Sequence, residues 1–78
     1  MSEEIPILSA REVIKALSKL GFRTTRQRGS HIVLAKVTAD GKVATVVPKH
    51  REIARGTLDG ILTQARISRG EFLKALEK

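Results

Sequence analysis

Two runs rich in β-branched and apolar residues, 31–37 and 43–47, are separated by Ala39-Asp40-Gly41. Such a pair reads as antiparallel strands joined by a tight turn, because Asp-Gly tolerates the positive φ angles of hairpin turns. Pro48 ends the second run, since proline cannot donate to a ladder. Upstream, residues 22–28 form a third candidate strand, rich in Thr and Arg and anchored by Phe22, which Gly29-Ser30 turns into the first apolar run. A three-strand meander over 22–48 is the expected centre of the chain, and helices must cover one of its faces to make a core.

The helices announce themselves at their ends. Ser9-Ala10-Arg11-Glu12 has capping-box spacing, with Leu8 and Val13 spaced as a hydrophobic staple. Val13, Leu17 and Leu20 continue one apolar stripe with Ile14 beside it, and Gly21 stops the helix expected over 9–20. Ser68-Arg69-Gly70-Glu71 repeats the capping box, with Ile67 and Phe72 as its staple pair and Phe72, Leu73 and Leu76 as the residues to be buried. Between them, Thr57 is placed to cap a helix carrying Leu58, Ile61, Leu62 and Ala65. Gly60 within it costs about 1 kcal/mol relative to Ala. The expected class is therefore α+β, in the order α-β-β-β-α(-α), with a three-stranded antiparallel sheet covered by helices on one face. His31, Val33, Ala35 and Val37 share one strand face, and Ile32, Leu34 and Lys36 share the other. Both are fairly apolar, so alternation does not say which the helices cover, and the uncovered one is a candidate protein-binding surface.

The 78 residues suit one small domain, with 1–8 as an N-terminal extension and 57–76 as the C-terminal helices. Cysteine is absent, which excludes disulfides and thiolate metal sites and suits a reducing cytoplasm. The opening "MSEEIP" has no apolar run of signal-peptide or membrane-span length. Charge carries more information. Fifteen Lys and Arg face eight Asp and Glu, a formal charge of +7, and between Lys15 and Arg55 ten bases stand against only Asp40 and Glu52. That clustering points to a polyanion, with RNA or DNA foremost. Phe22 and Phe72 are the only aromatic residues other than histidine, and both are spaced for a core, which counts against a sheet that stacks bases on exposed rings.

Few side chains can move protons near neutral pH. Ser30 adjoins His31, and successive strand side chains point apart, so no Ser-His-Asp arrangement is legible. Two histidines far apart in the chain are a weak metal signal, and neither metal nor cofactor is expected. RNA cleavage without metal needs less: a base for the 2′-OH proton, an acid for the departing 5′ oxygen, and cations to offset charge on the phosphorane. Imidazole, with an unperturbed pKa near 6.5, suits the first two, and guanidinium and ammonium suit the last. His31, with Arg26, Arg28, Lys36 and Lys49 in the same hairpin region, makes such a set. By spacing alone, an ordinary polar residue at a strand start is the stronger reading of His31. His50, just after the third strand, reads either as an exposed loop histidine or as a second acid/base.

The stretches "GFRTTRQRGSHIVLAK", "VATVVPKH" and "GTLDGILTQARISRGEFLKAL" together resemble the HicA family of toxin ribonucleases, over about residues 9–76. The most specific elements are Gly21-Phe22, Gly29-Ser30-His31, Val47-Pro48 with His50, and Gly56-Thr57-Leu58 before Ile61-Leu62. The resemblance implies a double-stranded-RNA-binding-like fold and a metal-independent mRNA interferase whose essential histidine is His31. It also implies a HicB antitoxin that covers the His31 site and contacts operator DNA on the pair's behalf. Gly29 would then permit a sharp turn and close approach of the RNA backbone, and Ser30 would bond a phosphate or hold the corner. Two other readings remain: a non-catalytic RNA-binding module of the same fold, and an interaction subunit without activity. Thr57-Leu58-Asp59 opening the second helix with an acid counts against the former, because groove-spanning domains use a basic helix start.

Overall fold

Residues 5–77 of the chain are described by a computed structural model, in which the elements run α1 (Ala10–Lys19), β1 (Arg23–Arg28), β2 (His31–Thr38), β3 (Gly41–Pro48), α2 (Arg55–Ala65) and α3 (Arg69–Glu77). The α-β-β-β-α-α order and the single antiparallel sheet, β1-β2-β3, agree with the expectation. The first four residues of the expected N-terminal extension, which hold most of "MSEEIP", lie outside the described residues.

Helix α1 begins as its spacing requires. Glu12 N–H donates to Ser9 Oγ at 3.2 Å, and Ser9 N–H donates to Glu12 Oε1 at 2.9 Å, so two otherwise orphaned donors are satisfied reciprocally. At its end Gly21 takes φ +100, which lets Gly21 N–H reach the Ser18 carbonyl (3.1 Å) and Phe22 N–H the Leu17 carbonyl (3.0 Å). This is a Schellman closure, and it drives Phe22 into the core beside Leu17. Helix α2 closes in the same way, through Arg66 N–H to Thr63 O and Ile67 N–H to Leu62 O, but with Arg66 in the left-handed position at φ 59.

The covered face of the sheet is the one carrying Ile32 and Leu34. Leu34 pairs with Thr45 and Ile32 with Val47, and Leu34, Thr45 and Val47 are all but inaccessible. Ile32, Leu34 and Val47 meet Val13 and Leu17 of α1, Leu58, Ile61 and Leu62 of α2, and Phe72 of α3 in one apolar cluster. Thr45 is the one buried polar side chain among the described residues. Its hydroxyl lies 3.1 Å from the Ile61 carbonyl oxygen and 3.1 Å from Gln64 Oε1, tying β3 to α2 without leaving a donor unpaired. Helices α1 and α2 rest on β3, α3 packs against α1, and all six residues of β1 are exposed.

Three expectations need correction. Thr57 does not cap α2: the helix starts three residues earlier, with Ala54 at the N-cap and no side chain capping it. The cause lies outside the local sequence. Ile53 N–H donates to the Leu8 carbonyl at 2.7 Å in an antiparallel bridge, and this fixes the chain direction so that the Ala54 carbonyl already accepts from Leu58 N–H. Arg55 rather than an acid therefore occupies the first turn, and the objection drawn from Asp59 no longer holds. Second, Asp40 does not take positive φ. The loop is Ala39-Asp40, and Gly41 alone has φ +125 while already paired with Thr38. Third, Leu73 and Leu76 are only partly buried. Helix α3 turns Phe72 and Ala75 inward against α1, where Lys19 Nζ donates to the Ala75 carbonyl at 3.2 Å. Its capping box does form, through Ser68 and Glu71.

Two stability measurements follow from this packing. Phe72 is fully buried at the junction of α3 with the core, so Phe72→Ala should cost about 3–5 kcal/mol in urea unfolding, and Phe72→Leu less than about 1.5. Left-handed backbone at Arg66 carries about 1–2 kcal/mol of strain, partly offset by the extra chain entropy of a glycine. Arg66→Gly should therefore raise stability by about 0.5–1 kcal/mol, read as a higher urea midpoint at unchanged m.

Candidate functional site

Because cross-strand partners share a face, the register that buries Leu34 and Thr45 also determines what the uncovered face displays. His31 pairs with Pro48 on one side and Arg28 on the other, and all three belong to the face away from the helices. His31 is exposed. The turn beneath it is Gly29-Ser30, with Gly29 at φ +57 and Ser30 at negative φ, the signature of a type II′ hairpin with glycine first. Gln27 Nε2 braces this turn by donating to the Gly29 carbonyl at 3.2 Å. Lys49 N–H donates to the Ser30 carbonyl at 2.6 Å, which carries the β2–β3 pairing one step past Pro48 and holds the corner. A Cβ built on Gly29 would meet nothing within 4 Å, so the surface above the turn is open.

Strand β1 adds something that alternation does not reveal. Thr24 pairs with Leu34 but Arg26 pairs with Val33, so Thr25 is an extra, bulged residue. Its hydroxyl donates to the Val33 carbonyl at 3.3 Å. Without the bulge, Arg23 and Arg26, three residues apart, would face opposite sides. With it, Arg23 opposite Ala35, Arg26 opposite Val33 and Arg28 opposite His31 all lie on the uncovered face. None of the three is ion-paired with a described residue. Arg23 is absent from the set that sequence spacing suggests, and only the doubled Thr24-Thr25 hints at the irregularity. Beyond this row the face carries Val37, 82% exposed, and Val46, 38% exposed, with Lys42 opposite Val37.

The other expected residues are divided between the two sides. Lys36 shares the Leu34 face, where its Nζ stands 5.8 Å from the centre of the Phe22 ring and its stem packs against Gly21. It does not join His31. Lys49 and His50 line an open cleft of about 890 Å³, together with Ile32 from the covered side of the sheet and residues of the first turns of α1. His31 and His50 thus occupy the same end of the sheet, one on the bare face and one on the helix side. Among the described residues, no three His, Asp or Glu side chains converge as a metal site, and no helix is long and apolar enough to cross a membrane.

No curated protein matches the chain in sequence. A family model does, and the stretch it covers, residues 10–67, runs from the first residue of α1 through both strand turns and the His31 corner to the close of α2. Its description is the HicA toxin of bacterial toxin–antitoxin, which makes a cognate antitoxin this chain's implied partner. With nearly three quarters of its length matched, the chain belongs to the HicA toxin family.

Proposed function

We propose that this toxin is a metal-independent endoribonuclease that cleaves mRNA, with His31 as its general acid/base. The observation that carries the reading is the display of His31 on a bare, cationic sheet face with Arg28 as its cross-strand partner. Residues opposite one another in an antiparallel pair have Cβ atoms about 4.5–5.5 Å apart, within reach of a single phosphodiester. Neutral His31 takes the 2′-OH proton, and the 2′ oxygen then bonds to phosphorus as the P–O5′ bond breaks. The products are a 2′,3′-cyclic phosphate and a 5′-OH, the leaving oxygen taking its proton from water at this solvated face or from a second acid. Arg28 offsets charge on the phosphorane through a two-pronged guanidinium contact. Arg26 and Arg23 continue the cationic row along β1 and hold the flanking phosphates, and the open surface at Gly29 and Ser30 lets the backbone approach. Lys49 serves the strand as it leaves the sheet end, while Lys36 is assigned to covering Phe22. A HicB-like antitoxin would neutralise the enzyme by covering this face, where Val37 and Val46 offer it apolar contact.

A second reading has one observation in its favour. Arg55 in the first turn of α2 gives that helix the basic start of a groove-spanning, non-catalytic RNA-binding domain. The two readings separate on His31.

In EDTA, wild type should cut a long single-stranded RNA to leave 2′,3′-cyclic phosphate ends. His31→Ala should reduce the rate by about 10²–10⁴ while RNA affinity stays within about threefold. Equal cutting by both proteins, or binding without cutting by either, would refute the catalytic assignment. Replacing Arg23, Arg26 and Arg28 together by Ala should weaken single-strand binding in the inactive background. The slope of log K against log salt should become shallower by about 2, from three lost phosphate contacts at about 0.7 each.

A further inference from the structure

The cleft on the helix side of the sheet end is not used by the chemistry above, although it begins one residue from it. Its floor is apolar: Ala10, Ile14 and Ile32. Arg11, Lys15, Lys49 and Arg51 stand around it with His50, all exposed, and none of the four cations is ion-paired with a described residue. No acidic residue lines it among the described residues. Its walls are pinned to each other, because Ala10 N–H donates to the His50 carbonyl at 2.9 Å. That bond joins the first turn of α1 to the segment leaving β3, so the concavity is a built feature rather than a gap between loose loops. It is an open cleft of about 890 Å³, within the range of small-molecule sites.

An apolar floor ringed by cations and a single imidazole fits a nucleotide better than a lone phosphate or an acidic peptide. A base would lie on Ile14 and Ile32, with the imidazole of His50 or the guanidinium of Arg51 against its face and Arg11 and Lys15 as the cations for its phosphate. The position of the cleft says which nucleotide. Ile32 follows His31 directly, and the Ser30–Lys49 hydrogen bond joins the two sides at the corner. A strand with its phosphodiester at His31 would have to turn over that corner, from the bare face to the helix side, to enter the cleft. Resting on the ribonuclease reading, we propose that the cleft is a subsite for the nucleotide flanking the cleaved bond, in which His50 serves as a stacking ring and not as a proton-transfer group.

The test combines steady-state cleavage with binding by the inactive protein. On a single-stranded oligonucleotide, Arg11→Ala with Lys15→Ala should raise KM about tenfold and leave kcat within about threefold. On a dinucleotide, whose single phosphate sits at His31 and which lacks the next phosphate for Arg11 and Lys15, the same pair should change neither. His50→Ala should raise KM on the oligonucleotide, and His50→Phe, which keeps a ring but cannot carry a proton, should restore it. In the His31→Ala background, a uridine or adenosine 5′-monophosphate titration should shift the backbone amide resonances of Ala10, Ile14 and Ile32, and should cease to do so in the Arg11/Lys15 variant. If His50→Phe is as defective in kcat as His50→Ala, the imidazole moves a proton and the stacking role is wrong. If the Arg11/Lys15 variant cleaves the oligonucleotide with wild-type KM, the cleft is not a substrate subsite. Loss of antitoxin binding with that normal KM would make it a protein contact instead. Absence of His31-dependent cleavage in wild type would instead refute the ribonuclease reading, while the nucleotide titration would still report on the cleft.

Discussion

The pairing of Leu34 with Thr45 is the constraint on which the rest of the molecule depends. Both side chains are enclosed between the sheet and the helices, and the Thr45 hydroxyl is committed to the Ile61 carbonyl and the Gln64 amide of α2. A slip of one residue in β3 would turn Thr45 outward and leave those groups without their partner, and a slip in β2 would lift Leu34 into water. Strand side chains alternate with period two, so either slip exchanges the whole set of residues between faces. His31 is bare because Leu34, three residues on, is buried. The display of the imidazole is thus a consequence of core packing at the other side of the same strand.

Strand β1 lives under a different regime. It receives no helix on either face, and only its ladder to β2 and the buried Phe22 at its entrance hold it. An uncovered edge strand invites pairing with other chains, and bulges and charged side chains are the usual deterrents. Thr25 and the three arginines supply both, and the same bulge aligns those arginines beside His31. The residues that deter edge pairing are therefore the same ones that make this edge of the sheet cationic. An unpaired cationic row is easily solvated here, because neither face of the strand is buried.

Features that depend on a few consecutive residues are legible in the chain itself. The two capping boxes, the Gly21 closure that throws Phe22 inward, and the glycine-led turn before His31 are each closed by hydrogen bonds spanning five residues or fewer, so their signals are local. The start of α2 departs from its local signal for the opposite reason. Its position follows from the bridge between Leu8 and Ile53, residues 45 apart in the chain, and a plausible cap at Thr57 cannot compete with that bridge. Lys36 reads as a partner of His31 because strand neighbours are close in sequence, yet its parity sends it to Phe22 on the covered face.

The sequence by itself determined the order of elements, the hairpin corner that carries His31, the basic character of the middle of the chain and the likeness to the toxin family. Those properties reside in residue type and short-range spacing, which need no partner from elsewhere in the chain. Tertiary structure alone decided which sheet face stays bare, that a bulge brings Arg23 into line with Arg26 and Arg28, and that His50 stands in a cleft of its own. Each of these depends on contacts between segments remote in sequence, because two apolar strand faces are equivalent until helices bury one of them.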